Sequence, residues 1–214
     1  MRVSLLLGLV GAAALYVTAA PRQPPGEFSS GYYFQNASLL FGGQLTTSVH
    51  QNRQLMTQYH PDPINVLYLW DQSKMFIFNY FFCEEYGAAA GGSADWFAWL
   101  ADSKFVGTTT LGVSTSVDVY SYKTPGGEPL AAALRHDDQL PAVFGFGLDG
   151  FPANYTFVDF EPRDVDERVF VVPAWCKQSD TVAARAPQHL RAAVDRLVEH
   201  AQVLGQSLGV KSQQ

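Results

Sequence analysis

Apolar and polar positions alternate along most of the chain from residue 31 to residue 172, with a period near two. Ile64, Val66, Tyr68 and Trp70 interleave with Asn65, Leu67 and Leu69, which predicts a strand. From Thr108 to Lys123, Leu111, Val113, Val117 and Val119 share one parity, and Ser114, Ser116, Asp118, Tyr120 and Tyr122 share the other. That is a half-wet antiparallel pair, or one long bent strand. Met75–Phe82 is apolar on both parities, so it needs a covering on each face or a cavity on one of them. Further strands are predicted in Tyr32–Leu45 (around a Gly42-Gly43 break), Gln54–Tyr59, Val143–Leu148, Tyr155–Phe160 and Val169–Val172. Gln51-Asn52-Arg53, Asp71–Lys74 and Thr124–Glu128 read as turns, and Glu84–Gly92 as a loop. Ser93 or Asp95 is placed to cap a short helix through Trp96, Trp99 and Leu100. Leu130–Leu140 is ambiguous and fits a turn or two of helix followed by the polar loop Arg135-His136-Asp137-Asp138.

One segment changes period. Leu190, Val194, Leu197, Ala201, Leu204 and Leu208 recur every three or four residues behind Pro187, which suits the first position of a helix. The expected architecture is therefore mainly β: a curved antiparallel sheet, half-barrel or sandwich, with a C-terminal amphipathic helix. The chain divides into a leader (residues 1–20), a flexible lead-in (21–30), a β domain (31–177), a linker (178–186) and the helix (187–210). The helix stripe suits closure of the sheet's core, and also pairing with a second copy as a homodimer seam.

The leader sets the compartment. Arg2, the apolar run Val3–Val17 and the small-x-small site Val17-Thr18-Ala19 form a secretory signal pattern. No later stretch is apolar enough to span a bilayer, so the mature chain is expected to be secreted or to sit in an endolysosomal lumen. The net charge is −6, one unit more negative without Arg2. That balance lacks the basic footprint of a nucleic-acid binder. In such a compartment the two cysteines, Cys83 and Cys176, read as one disulfide, the alternative being two buried thiols. Asn36-Ala37-Ser38 and Asn154-Tyr155-Thr156 fit the N-glycosylation sequon at Asn36 and Asn154.

A set of motifs in fixed order then stands out. A cysteine after an aromatic strand is followed by Trp96-Phe97-Ala98-Trp99-Leu100, Val106-Gly107, Asp118-Val119-Tyr120-Ser121-Tyr122 and Phe157-x-x-Phe160. The series ends in Phe170-Val171-Val172-Pro173-Ala174-Trp175-Cys176. Over roughly Tyr33–Cys176 the chain resembles the ependymin-related family of secreted proteins, and the ending is the most specific piece. The resemblance implies a deeply curved antiparallel sheet, similar to periplasmic lipoprotein carriers, with a hydrophobic pocket on its concave face. It also implies hydrophobic-ligand binding, calcium binding and cell-matrix adhesion. Relatives usually carry further cysteines, one near Val117, which this chain lacks.

Candidate chemistry is sparse. Pockets for apolar ligands are lined by aromatic and aliphatic side chains. Phe76, Phe78, Tyr80 and Phe82 are expected to share one face, which Phe144, Phe146, Tyr155 and Phe157 extend. Gly145 and Gly147 leave the other face of their strand bare for a close neighbour. Asp159, Glu161, Asp164, Asp166 and Glu167 are hard oxygen ligands of the kind calcium takes, without EF-hand spacing and with Arg163 and Arg168 among them. A solvated loop is the competing account. A cysteine with His136 and Asp137 is a weak nucleophile–base set that disulfide formation would abolish. The five histidines lack zinc spacing, and no other catalytic motif is present. The leading reading is a secreted or lumenal non-enzymatic protein that binds a hydrophobic, lipid-like ligand in the concavity and needs no cofactor. The second is an extracellular calcium-dependent interaction or adhesion protein.

Overall fold

The computed structural model describes residues 21–36, 40–59, 63–88, 92–148 and 151–178. The expected leader, most of the linker and the amphipathic helix lie outside the described residues, and with them the homodimer seam. Eleven strands form one sheet: β1 (Glu27–Gln35), β2 (Leu40–Ser48), β3 (Arg53–Tyr59), β4 (Pro63–Leu69), β5 (Lys74–Phe78), β6 (Cys83–Gly87), β7 (Lys104–Leu111), β8 (Thr115–Lys123), β9 (Pro129–Arg135), β10 (Pro141–Leu148) and β11 (Phe151–Pro162). Their order is β6-β5-β4-β3-β2-β1-β11-β10-β9-β8-β7. Every pairing is antiparallel. Two meanders thus meet where β1 pairs with β11. β6 and β7 are consecutive in the chain yet form opposite edges, so the segment between them crosses the sheet. The sheet is curved and does not close, the half-barrel the sequence predicts.

The alternation sorts into two faces. On the concave face Tyr32, Phe34, Leu45, Met56, Ile64, Val66, Tyr68, Met75, Ile77, Tyr120, Leu134, Phe144, Phe146, Tyr155 and Phe157 join one buried cluster. The convex face carries two smaller clusters. One, on β4–β6, holds Leu67, Leu69, Phe76 and Cys83 under Val165 and Phe170; the other holds Val117, Val119, Ala133, Ala142 and Val143. β5 is apolar on both faces because it has a covering on each: Met75 and Ile77 point one way, Phe76 the other.

Several elements differ from expectation for identifiable reasons. The aromatic run Met75–Phe82 is not one strand. Asn79 Oδ1 accepts from the Phe81 and Phe82 amides at 2.8 and 3.2 Å, and its own amide donates to the Phe82 carbonyl. This side-chain turn ends β5 at Phe78 and lets β6 run from Cys83 into the segment expected to be a loop. Gly42 and Gly43 are not a break but lie within β2. A Cβ on Gly43 would fall 2.0 Å from the Thr57 carbonyl oxygen and 2.8 Å from the Tyr32 hydroxyl, so the glycine admits a neighbouring strand and a buried ring. β1 begins at Glu27, inside the expected lead-in, and is fixed there by Ser48 Oγ and the Val165 amide donating to the Glu27 carboxylate. The alanine-rich β9 is strand, because pairing on both sides outweighs its helical propensity. Val169–Val172 is not strand: Glu167–Phe170 forms a 3-10 turn, capped by Asp166 Oδ1 accepting from the Arg168 amide at 2.9 Å. The short helix expected near Trp96 is a 3-10 turn over Ala98–Asp102.

Candidate functional site

The segment that crosses the concave face, residues 92–102, delivers a block of rings to the sheet. Ala94, Trp96, Phe97, Trp99 and Leu100 are all buried. Trp96 meets Phe144, Tyr155 and Phe157 at centroid distances of 5.4, 5.0 and 6.0 Å. Phe97 touches Phe144 and Phe157, and Trp99 stacks on Tyr122 at 6.0 Å. Around them Phe34 stacks on Phe41, Phe144 on Phe146, and Phe146 on Tyr155. The concavity is a continuous aromatic lining with an aromatic cover.

Hydrogen bonds tie that cover to the β2–β4 half of the sheet. The Ala94 amide donates to Asn52 Oδ1 at 2.9 Å, and Trp96 Nε1 donates to Gln54 Oε1 at 2.8 Å. Trp99 Nε1 donates to the Trp96 carbonyl at 2.9 Å, within the cover itself. Gly92 lies so close to the Trp70 ring that a Cβ there would sit 2.2 Å from it. Beneath the cover, burial pushes the hydroxyls of Tyr32, Tyr68 and Tyr155 well above the usual phenol range, helped by the mutual repulsion of neighbouring phenolates. The lining therefore stays uncharged over the whole physiological pH range.

The structure divides the eight aromatic residues singled out for the pocket. Phe82, Phe144, Phe146, Tyr155 and Phe157 lie together in the concave cluster. Phe76 and Phe78 face the convex side, where Phe78 meets Trp175 edge-on at 6.2 Å. Tyr80 is 92% exposed at the β5–β6 turn, with Phe81 beside it. The Asn79 turn is the reason, since it resets the parity that an unbroken strand would have kept. Trp96, Phe97, Trp99, Tyr32, Phe34 and Tyr68 belong to the lining as well. Their signal was the spacing of Trp96 and Trp99, which read as a helix face rather than as a cover.

The acidic residues do not converge. Asp159 sits at a positive φ of 51° within β11, Glu161 follows in the same strand, and Asp166 is taken up by Arg168. The Arg168 guanidinium and amide hold the Asp166 carboxyl down at about 2. Among the described residues no group of three or more His, Cys, Asp or Glu side chains is placed to hold a metal ion, so the calcium expectation for Asp159, Glu161, Asp164, Asp166 and Glu167 gains no support. Cys83 and Cys176 are bonded, with Cα atoms 5.2 Å apart, which removes the thiol nucleophile. His136 Nδ1 lies 3.0 Å from Asp118, away from either cysteine's cluster. Asn36 directly follows β1 and Asn154 lies in β11, both half-buried. Gly145 and Gly147 have no neighbour closer to an added Cβ than ordinary contact. An open groove of about 860 Å³ lies on the convex side, between β4–β6 and the Phe170–Cys176 segment. Its walls carry the Lys74–Glu85 ion pair together with Arg53 and Glu84, which suit it poorly to an apolar ligand.

No family model and no curated protein matches the chain. The likeness to ependymin-related proteins therefore rests on the quoted motifs. Among solved structures, the chain is similar to a LolA superfamily protein from Nitrosomonas europaea, at 9% identity over 71% of this chain and 93% of that one, TM-score 0.40. It is similar to an uncharacterized conserved protein from Thermus thermophilus, at 11% identity over 69% and 87%, TM-score 0.47. It is also similar to the Mycobacterium tuberculosis lipoprotein LppX, at 10% identity over 66% and 91%, TM-score 0.43. These likenesses are distant, and the functional reading rests on the chain's own geometry. Among the described residues no helix is long and apolar enough to cross a membrane.

Proposed function

We propose that this chain is a non-enzymatic binding protein, secreted or lumenal, that holds an apolar or lipid-like molecule on the concave face of its sheet. One observation carries the reading. Among the described residues, a large aromatic concavity is covered by residues 92–102, a short segment outside the sheet whose hydrogen bonds to the β2–β4 half include Ala94 to Asn52 and Trp96 to Gln54. Irregular segments of this kind open at lower free energy than paired strands. Displacing the cover exposes Tyr32, Phe34, Phe144, Phe146, Tyr155 and Phe157 to a ligand that replaces its rings. The sheet itself, paired strand by strand, need not move.

Native mass spectrometry of the protein from its own host, before and after mild organic extraction, tests the reading. A lipid-sized mass that leaves on extraction is the expected result. A bare mass, together with no uptake of an environment-sensitive apolar dye, would sink it. The extracellular-interaction reading draws on a different feature: Leu40, Tyr59, Tyr80 and Phe81 are exposed at hairpin ends on one end of the sheet. Self-association in light scattering that is lost in Tyr80→Ser/Phe81→Ser would favour it.

A further inference from the structure

Besides Gln58 Oε1, further along β3, three polar side chains on the concave face carry buried hydrogen-bonding atoms with no partner: Thr47 Oγ1, Gln54 Nε2 and Trp70 Nε1. Their residues are 0%, 0% and 6% exposed. They are neighbours. Thr47 pairs with Gln54 across β2 and β3, Gln54 pairs with Tyr68 across β3 and β4, and the Trp70 ring stacks on Tyr68 at 4.7 Å. Directly opposed residues on one sheet face hold their Cβ atoms about 4.5–5.5 Å apart. While the cover is in place Gln54 cannot turn over, and once the cover leaves its amide still offers an NH₂ donor in either orientation. Trp96 Nε1 can only donate, so the amide oxygen must face it and the NH₂ must point elsewhere. Two fixed N–H donors and a hydroxyl thus stand unmet in an aromatic interior, where an unmet donor is costly.

The surroundings restrict what can answer them. No Lys, Arg or His is among the buried described residues, and the buried hydroxyls of Tyr32, Tyr68 and Tyr155 stay protonated. A carboxylate or phosphate would enter without a counter-charge, which a low-dielectric interior penalises heavily. A neutral carbonyl oxygen has two lone pairs, fits two donors and brings no charge. We infer that the concave site selects a neutral lipid, with the uncharged acceptor of an ester, ketone or amide head received by Gln54 Nε2 and Trp70 Nε1 beside the Thr47 hydroxyl. This rests on the apolar-ligand reading and adds to it the chemistry of the head.

The test uses the full chain and three probes of similar length delivered from cyclodextrin: methyl oleate, oleate and heptadecene. Each competes with an environment-sensitive apolar dye. Methyl oleate is expected to bind about tenfold more tightly than heptadecene, the return on one or two net hydrogen bonds, and oleate more weakly than its ester. In Thr47→Val/Trp70→Phe the ratio of ester to heptadecene affinity should fall to about twofold or less, whatever change the two probes share. Equal binding of ester and hydrocarbon would overturn the inference, since it would mean that buried water satisfies the donors. Tightest binding by oleate would overturn it as well. Absence of binding by all three would instead remove the apolar-ligand reading, and the inference with it. If the double variant fails to fold, the wild-type ratio of ester to hydrocarbon decides alone.

Discussion

β6 and β7 are the two edges of one sheet and the two ends of one connection, yet they are held by different chemistry. β6 is covalently fixed. Cys83, its first residue, is bonded to Cys176, and the bond binds the Val165–Cys176 segment onto Leu67, Leu69 and Phe76 on the convex face. Further bonds reinforce that segment, from the Val165 amide to Glu27 Oε2 and from Gln51 Nε2 to the Val165 carbonyl. β7 has no such staple. Most of its residues are exposed, a register shift interrupts its pairing between Phe105 and Gly107, and Thr108 Oγ1 reaches Asp118 Oδ1 at 2.7 Å. Bulges of this kind protect an edge from pairing with another chain. The cover over the concave face therefore leaves a fixed edge and arrives at one held by hydrogen bonds. On the proposed function, where residues 92–102 act as a lid, the end free to release is β7.

The largest effect expected from this contrast is loss of the fixed edge. The disulfide closes a span of 93 residues. In Cys83→Ser/Cys176→Ser the chain-entropy account predicts about 4 kcal/mol less stability in urea unfolding. Dye binding on the concave face should survive under native conditions, because the disulfide lies on the other side of the sheet. Loss of dye binding in a variant that is still folded would show that the two faces are not independent.

A smaller effect is expected at the cover. Trp96→Phe keeps most of the ring contacts with Phe144, Tyr155 and Phe157 but removes the donor to Gln54. Leaving the buried Gln54 oxygen without a partner costs about 1–3 kcal/mol. If residues 92–102 are the displaceable cover, that cost falls on the closed state and apolar dye binds more tightly, by about two- to 150-fold if half or more of it is recovered on opening. Unchanged dye affinity with the same loss of stability would mark Trp96 as ordinary core.

Much of this contrast was legible in the chain, and the rest was hidden for physical reasons. Alternation placed Ile64, Val66 and Tyr68 on one face of β4, and Phe144, Phe146, Tyr155 and Phe157 on neighbouring strands of one lining. The apolar character of β5 on both parities announced two coverings without saying what they were. Where alternation is absent, parity cannot be read. The aromatic run ending at Phe82 hid the Asn79 turn, and so Phe76 and Phe78 went with the wrong neighbours. Phe170 and Val172 are apolar because they cover a sheet, not because they lie in one. The polar group of Thr47, Gln54 and Trp70 was beyond reach, since it spans three segments and depends on register. A lone buried glutamine has no sequence signature until its strand neighbours are known.

The finest test concerns the releasable edge itself. Asp118 lies on β8 and is almost fully buried. It accepts from Thr108 Oγ1 on β7 at 2.7 Å and from Gln139 Nε2 at 2.9 Å, and it faces His136 Nδ1 at 3.0 Å. Burial by itself would raise its pKa, but the bonds from Thr108, His136 and Gln139 outweigh that, and the net shift is downward. A carboxyl whose folded pKa is depressed adds stability above its unfolded pKa of about 3.9, and that stability is lost as the pH falls through the folded value. Acidification should therefore loosen β7 before it loosens β6, whose covalent tie does not titrate. Hydrogen exchange followed from pH 6 to pH 3 is expected to show protection falling at the Thr108–Leu111 amides while the Cys83–Gly87 amides keep theirs. Asp118→Asn should flatten that acid dependence, having no proton to gain, and at pH 6 its β7 amides should already exchange faster. Parallel loss of protection on both edges, or an unaltered acid response in Asp118→Asn, would mean that the two edges open as one unit and that β7 is not the end that releases the cover.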